Sequence, residues 1–234
     1  MNDHPIYPAI PPRRDRRDVA FADLFGGAEG GGPVVFVSSR FDSDRLEEGL
    51  RAPFSGSCEC EGTPPLPVGE VFRRHLTGGG LGMWLRSDTA QMCDVAVVFA
   101  DAVCRRLLTA EECVSGLCLA LHEAVANAII HGNLEIASPA NDPESFATYC
   151  RLMDERLEDG AWAARHVEIS AVRLPGGLEV AVRNEGPGYR PVRRRPATDR
   201  RHGLTIMGEV AKVIVAEEGR LAVLHFPVGL REAE

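Results

Sequence analysis

The sequence predicts an α+β fold, a two-layer α/β sandwich with one helix layer on one sheet, preceded by a small α/β extension. Three observations carry the prediction. Asp88-Thr89-Ala90-Gln91 and Thr109-Ala110-Glu111-Glu112 both have capping-box spacing and both precede apolar residues at helical intervals. Residues 167–171 and 178–182 alternate in strand fashion around Pro175-Gly176-Gly177, which reads as a hairpin. Further strands at 212–216 and 220–226, joined through Glu218-Gly219, keep the strand pairing mainly antiparallel.

The elements follow in order. Residues 1–32 read as a flexible tail, because Pro5, Pro8, Pro11 and Pro12 precede a mixed-charge run that closes on Gly26, Gly27 and Gly30 to Gly32. Residues 33–80 form the extension, with a short strand at 34–37, a helix at 42–50 capped by Asp42 or Ser43, and a second helix at 68–76. Pro64, Pro65 and Pro67 break the chain between the two helices, and Gly78-Gly79-Gly80 separates the extension from the main domain at 81–230. A strand at 82–86 opens that domain. The helix expected to begin near Thr89 carries Met92, Val95, Ala96, Phe99, Val103 and Leu107 on a core face. The Thr109 capping box launches the next helix, which ends after Gly132, where Ser138, Pro139, Asn141, Asp142 and Pro143 demand a loop. Residues 145–164 are helical again, with Phe146, Tyr149, Leu152 and Leu157 available to pack, and 204–211 supply the last helix before the final strands.

Composition narrows the function classes. The formal net charge is −8, which gives no support to nonspecific nucleic-acid or anionic-membrane binding. No apolar run approaches the roughly 18 residues that cross a bilayer, and no secretory pattern opens the chain, so a cytoplasmic protein is expected. The seven cysteines are scattered without the spacing of a disulfide framework, and Cys58-x-Cys60 has no second pair to complete a zinc site. Cys93, Cys104 and Cys118 fall in expected helices, where small buried hydrophobes are the simpler reading.

The strongest functional clue is Glu123 and Asn127, one helical turn apart in Leu121-His122-Glu123-Ala124-Val125-Ala126-Asn127-Ala128-Ile129-Ile130-His131-Gly132. A carboxylate and a carboxamide on one face either meet water on an amphipathic helix or serve one site. In the second case the carboxylate acts as base and the carboxamide oxygen as ligand for a hard cation. Two glycine-bearing turns follow, Asn184-Glu185-Gly186-Pro187-Gly188-Tyr189 and Arg201-His202-Gly203-Leu204. A polar-faced helix, a glycine turn after a strand and a glycine before another helix together suit a nucleotide site. Taken singly, each glycine is equally served by ordinary turn or cap duty.

These segments resemble the motifs of the GHKL ATPase superfamily, and most closely its anti-sigma-factor serine kinase branch. The N box, Glu-x-x-x-Asn-Ala-x-x-His-Gly, is matched from Glu123 through Asn127 and Ala128 to His131 and Gly132. The first glycine box, Asp-x-Gly-x-Gly, stands here with Asn184 in its leading place. The second, Gly-x-Gly-Leu, keeps Gly203 and Leu204 but has Arg201 for its first glycine. The resemblance covers roughly residues 82 to 228. It implies a Bergerat-type ATP site between helices and sheet, with Asn127 ligating Mg²⁺ and Glu123 as general base. It also implies a nucleotide cradle that includes Asn184, Gly186, Gly188, Gly203 and Leu204. Asn184 would accept the adenine amine through a neutral bond where the family uses a charged one. Charge-assisted bonds contribute about 1.5–3 kcal/mol against about 1 for neutral pairs, a weakening of about tenfold.

Arg193, Arg194, Arg195, Arg200 and Arg201 crowd the stretch between the boxes, where the family has a mobile lid; a solvated loop and a phosphate-facing or partner-docking lid are both open readings. His122 and His131 are assigned to packing or helix-end roles. Two function classes follow. One is an ATP- and Mg²⁺-dependent serine/threonine kinase acting on an antagonist protein in a partner-switching circuit with a sigma factor. The other is a catalytically weak or inactive module of the same fold that works by protein binding. A homodimer is implied by the resemblance alone.

Overall fold

The computed structural model describes residues 17–20, 32–60, 67–109, 112–140, 142–188 and 202–230. Among these, the strands form one eight-stranded mixed sheet and a two-stranded ribbon. The N-terminal half contributes β1 (Arg17–Ala20), β2 (Val34–Ser38), β3 (Phe54–Glu59) and β4 (Leu81–Arg86). The ribbon pairs β5 (Glu112–Cys113) with β10 (Gly229–Leu230). The remaining sheet strands are β6 (His166–Leu174), β7 (Gly177–Asn184), β8 (Lys212–Ala216) and β9 (Leu221–Pro227). Their order across the sheet is β1-β2-β3-β4-β6-β7-β9-β8. The pairs β2·β3 and β3·β4 are parallel and all others antiparallel, including the expected β6–β7 hairpin.

The fold is therefore α+β, and the extension and the main domain share one sheet. Within the stretch read as a tail, Arg17–Ala20 pairs antiparallel with β2; the rest of residues 1–31 lies outside the described residues. The strand β3 is an addition to the expected elements, since Phe-Ser-Gly-Ser-Cys-Glu is too small and polar to signal a strand by pattern.

Strand alternation sends Phe36, Met83, Leu85, Ile169, Val180, Val182 and Leu224 to one face, the front, where they form a single core with the helices. That layer consists of α1 (Ser43–Gly49), α3 (Ser87–Met92), α4 (Val95–Leu107) and α5 (Leu117–Ala126), with α8 (His202–Val210) packed along α5. The helices α6 (Pro143–Glu158) and α7 (Gly160–Ala163) rest on its margin. Each fully buried side chain such as Phe36, Phe99 or Phe226 contributes about 1.5–3 kcal/mol through lost apolar exposure.

The back face departs from a plain two-layer sandwich. It carries α2 (Glu70–Thr77), whose Phe72 and Leu76 meet Val35, Val37, Cys58 and Trp84. The strands β2, β3 and β4 advance in one direction while α1 crosses in front and α2 behind, so the two crossovers have opposite hands, against the usual right-handed rule.

Two helix starts differ from expectation. The helix expected from Thr89 is two helices, because Asp94 caps the second by accepting from the Val97 N–H at 3.4 Å; Met92 then lies at the break, 67% exposed, rather than in the core. The Thr109 capping box forms in half, with Glu112 Oε2 accepting from the Thr109 N–H at 2.9 Å. No helix follows directly, since Glu112 and Cys113 pair with β10 and α5 begins only after Gly116, which is left-handed at φ 72°. Asp42 caps α1 by accepting from the Arg45 N–H, and Asp142 caps α6 by accepting from the Ser145 N–H. Among the described residues, no helix is long and apolar enough to cross a membrane.

Polar groups hold α2 to the sheet. His75 is fully buried; its Nε2–H donates to Glu179 Oε1 at 2.8 Å and its Nδ1 accepts from the Ser170 hydroxyl at 2.9 Å, which suits a neutral ring. Arg74 and His225 also face Glu179. Burial lowers the His75 pKa against the opposing pull of Glu179. Burial pushes Glu179 up, but the hydrogen bond from His75 and the Arg74 guanidinium outweigh it and hold the carboxyl below its ordinary value. Both folded-state pKa values lie below the unfolded ones, so both contributions are complete above pH 6.5, the ordinary histidine value, and are lost as pH falls. The thermal midpoint should therefore be flat above neutrality and decline below that pH. His75→Gln should lower the midpoint at pH 7 and flatten the decline just below pH 6.5; an unchanged slope in scanning calorimetry would remove His75 from the linkage.

Candidate functional site

Glu123 and Asn127 are placed by α5 and its π-helical continuation, which pack into the front core. Leu117, Ala120, Leu121, Ala124 and Val125 are buried, which turns Glu123 and Asn127 to a half-exposed side. Among the described residues, neither side chain has a hydrogen-bond or ion-pair partner. A carboxylate and a carboxamide, both unengaged and one turn apart, are therefore available to an incoming group. At Asn127 the helix changes character: residues Asn127–Asn133 are π-helical, and the Leu134 N–H reaches back to the Ile129 carbonyl at 2.7 Å. Such widened turns are uncommon and occur frequently at functional sites.

The π segment ends against the first glycine turn. A Cβ on Gly132 would overlap the Asn184 amide, and a Cβ on Gly186 would overlap the Gly132 carbonyl oxygen. Both positions must be glycine for the two motifs to touch. Asn184 is buried, with its Oδ1 accepting from the Gly186 N–H at 3.0 Å and its Nδ2–H donating to the Arg220 carbonyl at 3.2 Å. Those two contacts fix the amide orientation, because a flip would break both. They also commit one of the two Oδ1 lone pairs to the chain itself.

Asn133 ties the arrangement together and was not among the residues singled out from sequence. Its side chain is fully buried; Nδ2–H groups donate to Ser87 Oγ at 2.8 Å and the His166 carbonyl at 3.0 Å, and Oδ1 accepts from the Glu185 N–H at 2.7 Å. Glu185 in turn accepts from the His166 N–H at 2.7 Å. Burial raises the Glu185 pKa, but the His166 hydrogen bonds and charge prevail and hold the carboxyl below its ordinary range. The sequence offers one hint of Asn133, its place directly after the matched Gly132.

The far wall is the turn between β8 and β9. Gly188 is left-handed at φ 86°, and a Cβ there would overlap the Glu218 carbonyl oxygen. Among the described residues, the non-glycine residues with positive φ are Glu135, Glu217 and Glu218, at 53°, 49° and 58°. Glu217 and Glu218 form the β8–β9 turn and Glu135 follows the π segment, and left-handed backbone costs about 1–2 kcal/mol per residue. Glu135 pairs with Arg165 and Glu217 with Arg183, each at 2.8 Å.

Gly203 and Leu204 fall in the first turn of α8, which packs beside α5 through Val210 against Gly116. The arginine-rich stretch with Arg193, Arg194, Arg195, Arg200 and Arg201 lies outside the described residues, as does Tyr189. His122 is exposed, 3.5 Å from Asp94, and His131 Nδ1 meets the Ile136 carbonyl at 2.5 Å, a helix-end contact. Among the described residues no three His, Cys, Asp or Glu side chains form a metal cluster. A hard cation at Asn127 would take its other oxygens from water and ligand, the usual habit of Mg²⁺. No protein-family model matches the chain, and no curated protein matches it.

The glycine contacts generate a direct contrast. Gly186→Ala should cost about 3 kcal/mol in denaturant unfolding, because the overlap is with backbone. Gly208→Ala, in an exposed helical position with nothing near its added Cβ, should stabilise by about 1 kcal/mol. Equal effects at the two positions would contradict the close approach of Gly186 to Gly132.

Proposed function

We propose that this chain is an ATP-binding regulatory protein of the histidine kinase-like ATPase fold, with an activity resembling that of anti-sigma-factor serine/threonine kinases. The observation that carries the reading is the seating of Gly132, at the end of the Glu123–Asn127 helix, against Asn184 and Gly186. Motifs more than 50 residues apart in sequence thereby meet at the C-terminal end of the interior strand β7.

In this reading Glu123 accepts the proton of a serine or threonine hydroxyl on the protein substrate. The hydroxyl oxygen bonds to the γ-phosphorus as the bond to the departing ADP oxygen breaks. The Asn127 side-chain oxygen holds Mg²⁺, and the bound ion supplies charge neutralisation at the phosphates. Asn184 Oδ1 offers its remaining lone pair to the adenine amine, and Gly203 and Leu204 bring the α8 N-terminus to the phosphates. The protein substrate is an antagonist in a partner-switching circuit with a sigma factor, in the cytoplasm, with a homodimer as the working unit.

A second reading is favoured by the internal commitment of Asn184, which makes a satisfied brace without any ligand. On that reading the chain is a module of the same fold that binds a protein partner and turns over little or no ATP.

Calorimetric titration with a nonhydrolysable ATP analogue separates the two. The kinase reading expects saturable, Mg²⁺-dependent binding that Asn127→Ala loses, with Glu123→Gln sparing binding and abolishing transfer. Absence of binding at millimolar analogue would favour the protein-binding module. Asn184→Asp provides a further check. It sets a carboxylate oxygen opposite the Arg220 carbonyl in place of a donor, so it should lower stability by about 1–3 kcal/mol whatever it does to affinity. A stability equal to the wild type would contradict the bracing role.

A further inference from the structure

We infer that Asn133 is the positioning residue of the glycine loop, and that through it the β4–α3 junction of the N-terminal half sets the geometry of the proposed nucleotide site. The second clause rests on the nucleotide reading; the first does not.

The case is geometric. Asn133 has three hydrogen-bonding groups on its carboxamide, and each goes to a different element: Ser87 at the end of β4, His166 at the start of β6, and the Glu185 N–H within the glycine loop. Ser87 is itself held, since its Oγ donates to the Arg165 carbonyl at 2.7 Å and its N–H to the same oxygen at 2.8 Å. The Arg165 guanidinium closes the circuit on the Asn133 carbonyl at 2.6 Å. A carboxamide is suited to this position, because it offers two donors and an acceptor in one plane without charge, where a carboxylate would offer acceptors only. A buried amide so saturated has one permitted orientation, and the Glu185 N–H follows it. Glu185 stands between Asn184 and Gly186, so its peptide plane governs the approach of Gly186 to Gly132.

The link continues beyond the site. His166, whose carbonyl Asn133 holds, lies stacked on Trp84 with ring centroids 3.5 Å apart, and Trp84 belongs to the back-face cluster with Val35, Val37, Cys58 and Phe72. The extension thus reaches His166 through Trp84, one contact removed from Asn133.

The test is hydrogen exchange by mass spectrometry on full-length Asn133→Ala and Ser87→Ala without nucleotide, beside calorimetric titration of each with the nonhydrolysable ATP analogue and Mg²⁺. Loss of one hydrogen bond shifts local opening by about fivefold, so exchange in a peptide spanning 184–188 should rise at least that much in Asn133→Ala and less in Ser87→Ala, while the β7–β9 core is unchanged. If Asn133→Ala does not fold, Ser87→Ala is read for a smaller rise confined to the same loop. Unchanged exchange in the loop, or a uniform rise over the whole chain, would overturn the inference, the latter by making Asn133 a brace of the core alone. If the wild type binds the analogue, both variants should bind it several-fold more weakly; equal affinity would detach Asn133 from the nucleotide site. If the wild type binds none while the loop loosens selectively, the nucleotide reading fails and the positioning role stands.

Discussion

The end of the Glu123–Asn127 helix and the Asn184–Gly188 turn share a space too small for any side chain, and the arrangement at this end of β7 follows from that contact. Gly132 and Gly186 bring two backbones together, and the adjacent Asn133 amide meets the Ser87 hydroxyl, the His166 carbonyl and the Glu185 N–H. An unsatisfied buried polar group costs about 1–3 kcal/mol, so three groups meeting one side chain make this a strong constraint on neighbouring elements. The positive-φ turn at Glu217 and Glu218 closes the far side, with Gly188 fitted beneath it. Among the described residues Glu123 and Asn127 have no hydrogen-bond or ion-pair partner, so a rigid frame stands beside free functional groups, the combination that binding sites require.

The N-terminal half is built into the same frame. Its parallel strands continue the sheet, α1 joins the front core and α2 covers the back, held by His75, Ser170 and Glu179. A second buried carboxylate, Glu168, accepts from the Gly69 N–H at 2.9 Å and from Arg183 at 3.1 Å, so the entry to α2 is tied to β6 and β7 as well. Burial raises the Glu168 pKa despite those donors. Polar bonds on the back and apolar packing on the front thus join the two halves through one sheet.

How much of this is legible in the sequence depends on the range of the interactions. The β6–β7 hairpin follows from alternation around Pro175-Gly176-Gly177, and a cap at Asp42 or Ser43 follows from residue type, with Asp42 the one that forms, because both are local. The Thr109 capping box misleads as a helix signal, since the decision to place Glu112 and Cys113 in a ribbon is made by β10, more than 100 residues away. The break before α4 is missed because the apolar period runs through Asp94 without interruption. At the site, spacing reveals Glu123, Asn127 and the glycines as a set. It does not reveal Asn133, whose partners Ser87, His166 and Glu185 are 46, 33 and 52 residues away. Nor does it reveal that Gly186 and Gly188 are required by contacts within the chain, whatever else approaches them.

On the proposed reading, the helix of Glu123 and Asn127 and the Asn184–Gly188 turn form one nucleotide site. The most direct test is photoaffinity labelling with an azido-adenine nucleotide and Mg²⁺, followed by peptide mapping. Label is expected within the segments around 123–133 and 184–188, removed by excess ATP. Label confined to other segments, or label in these segments that ATP does not displace, would contradict it.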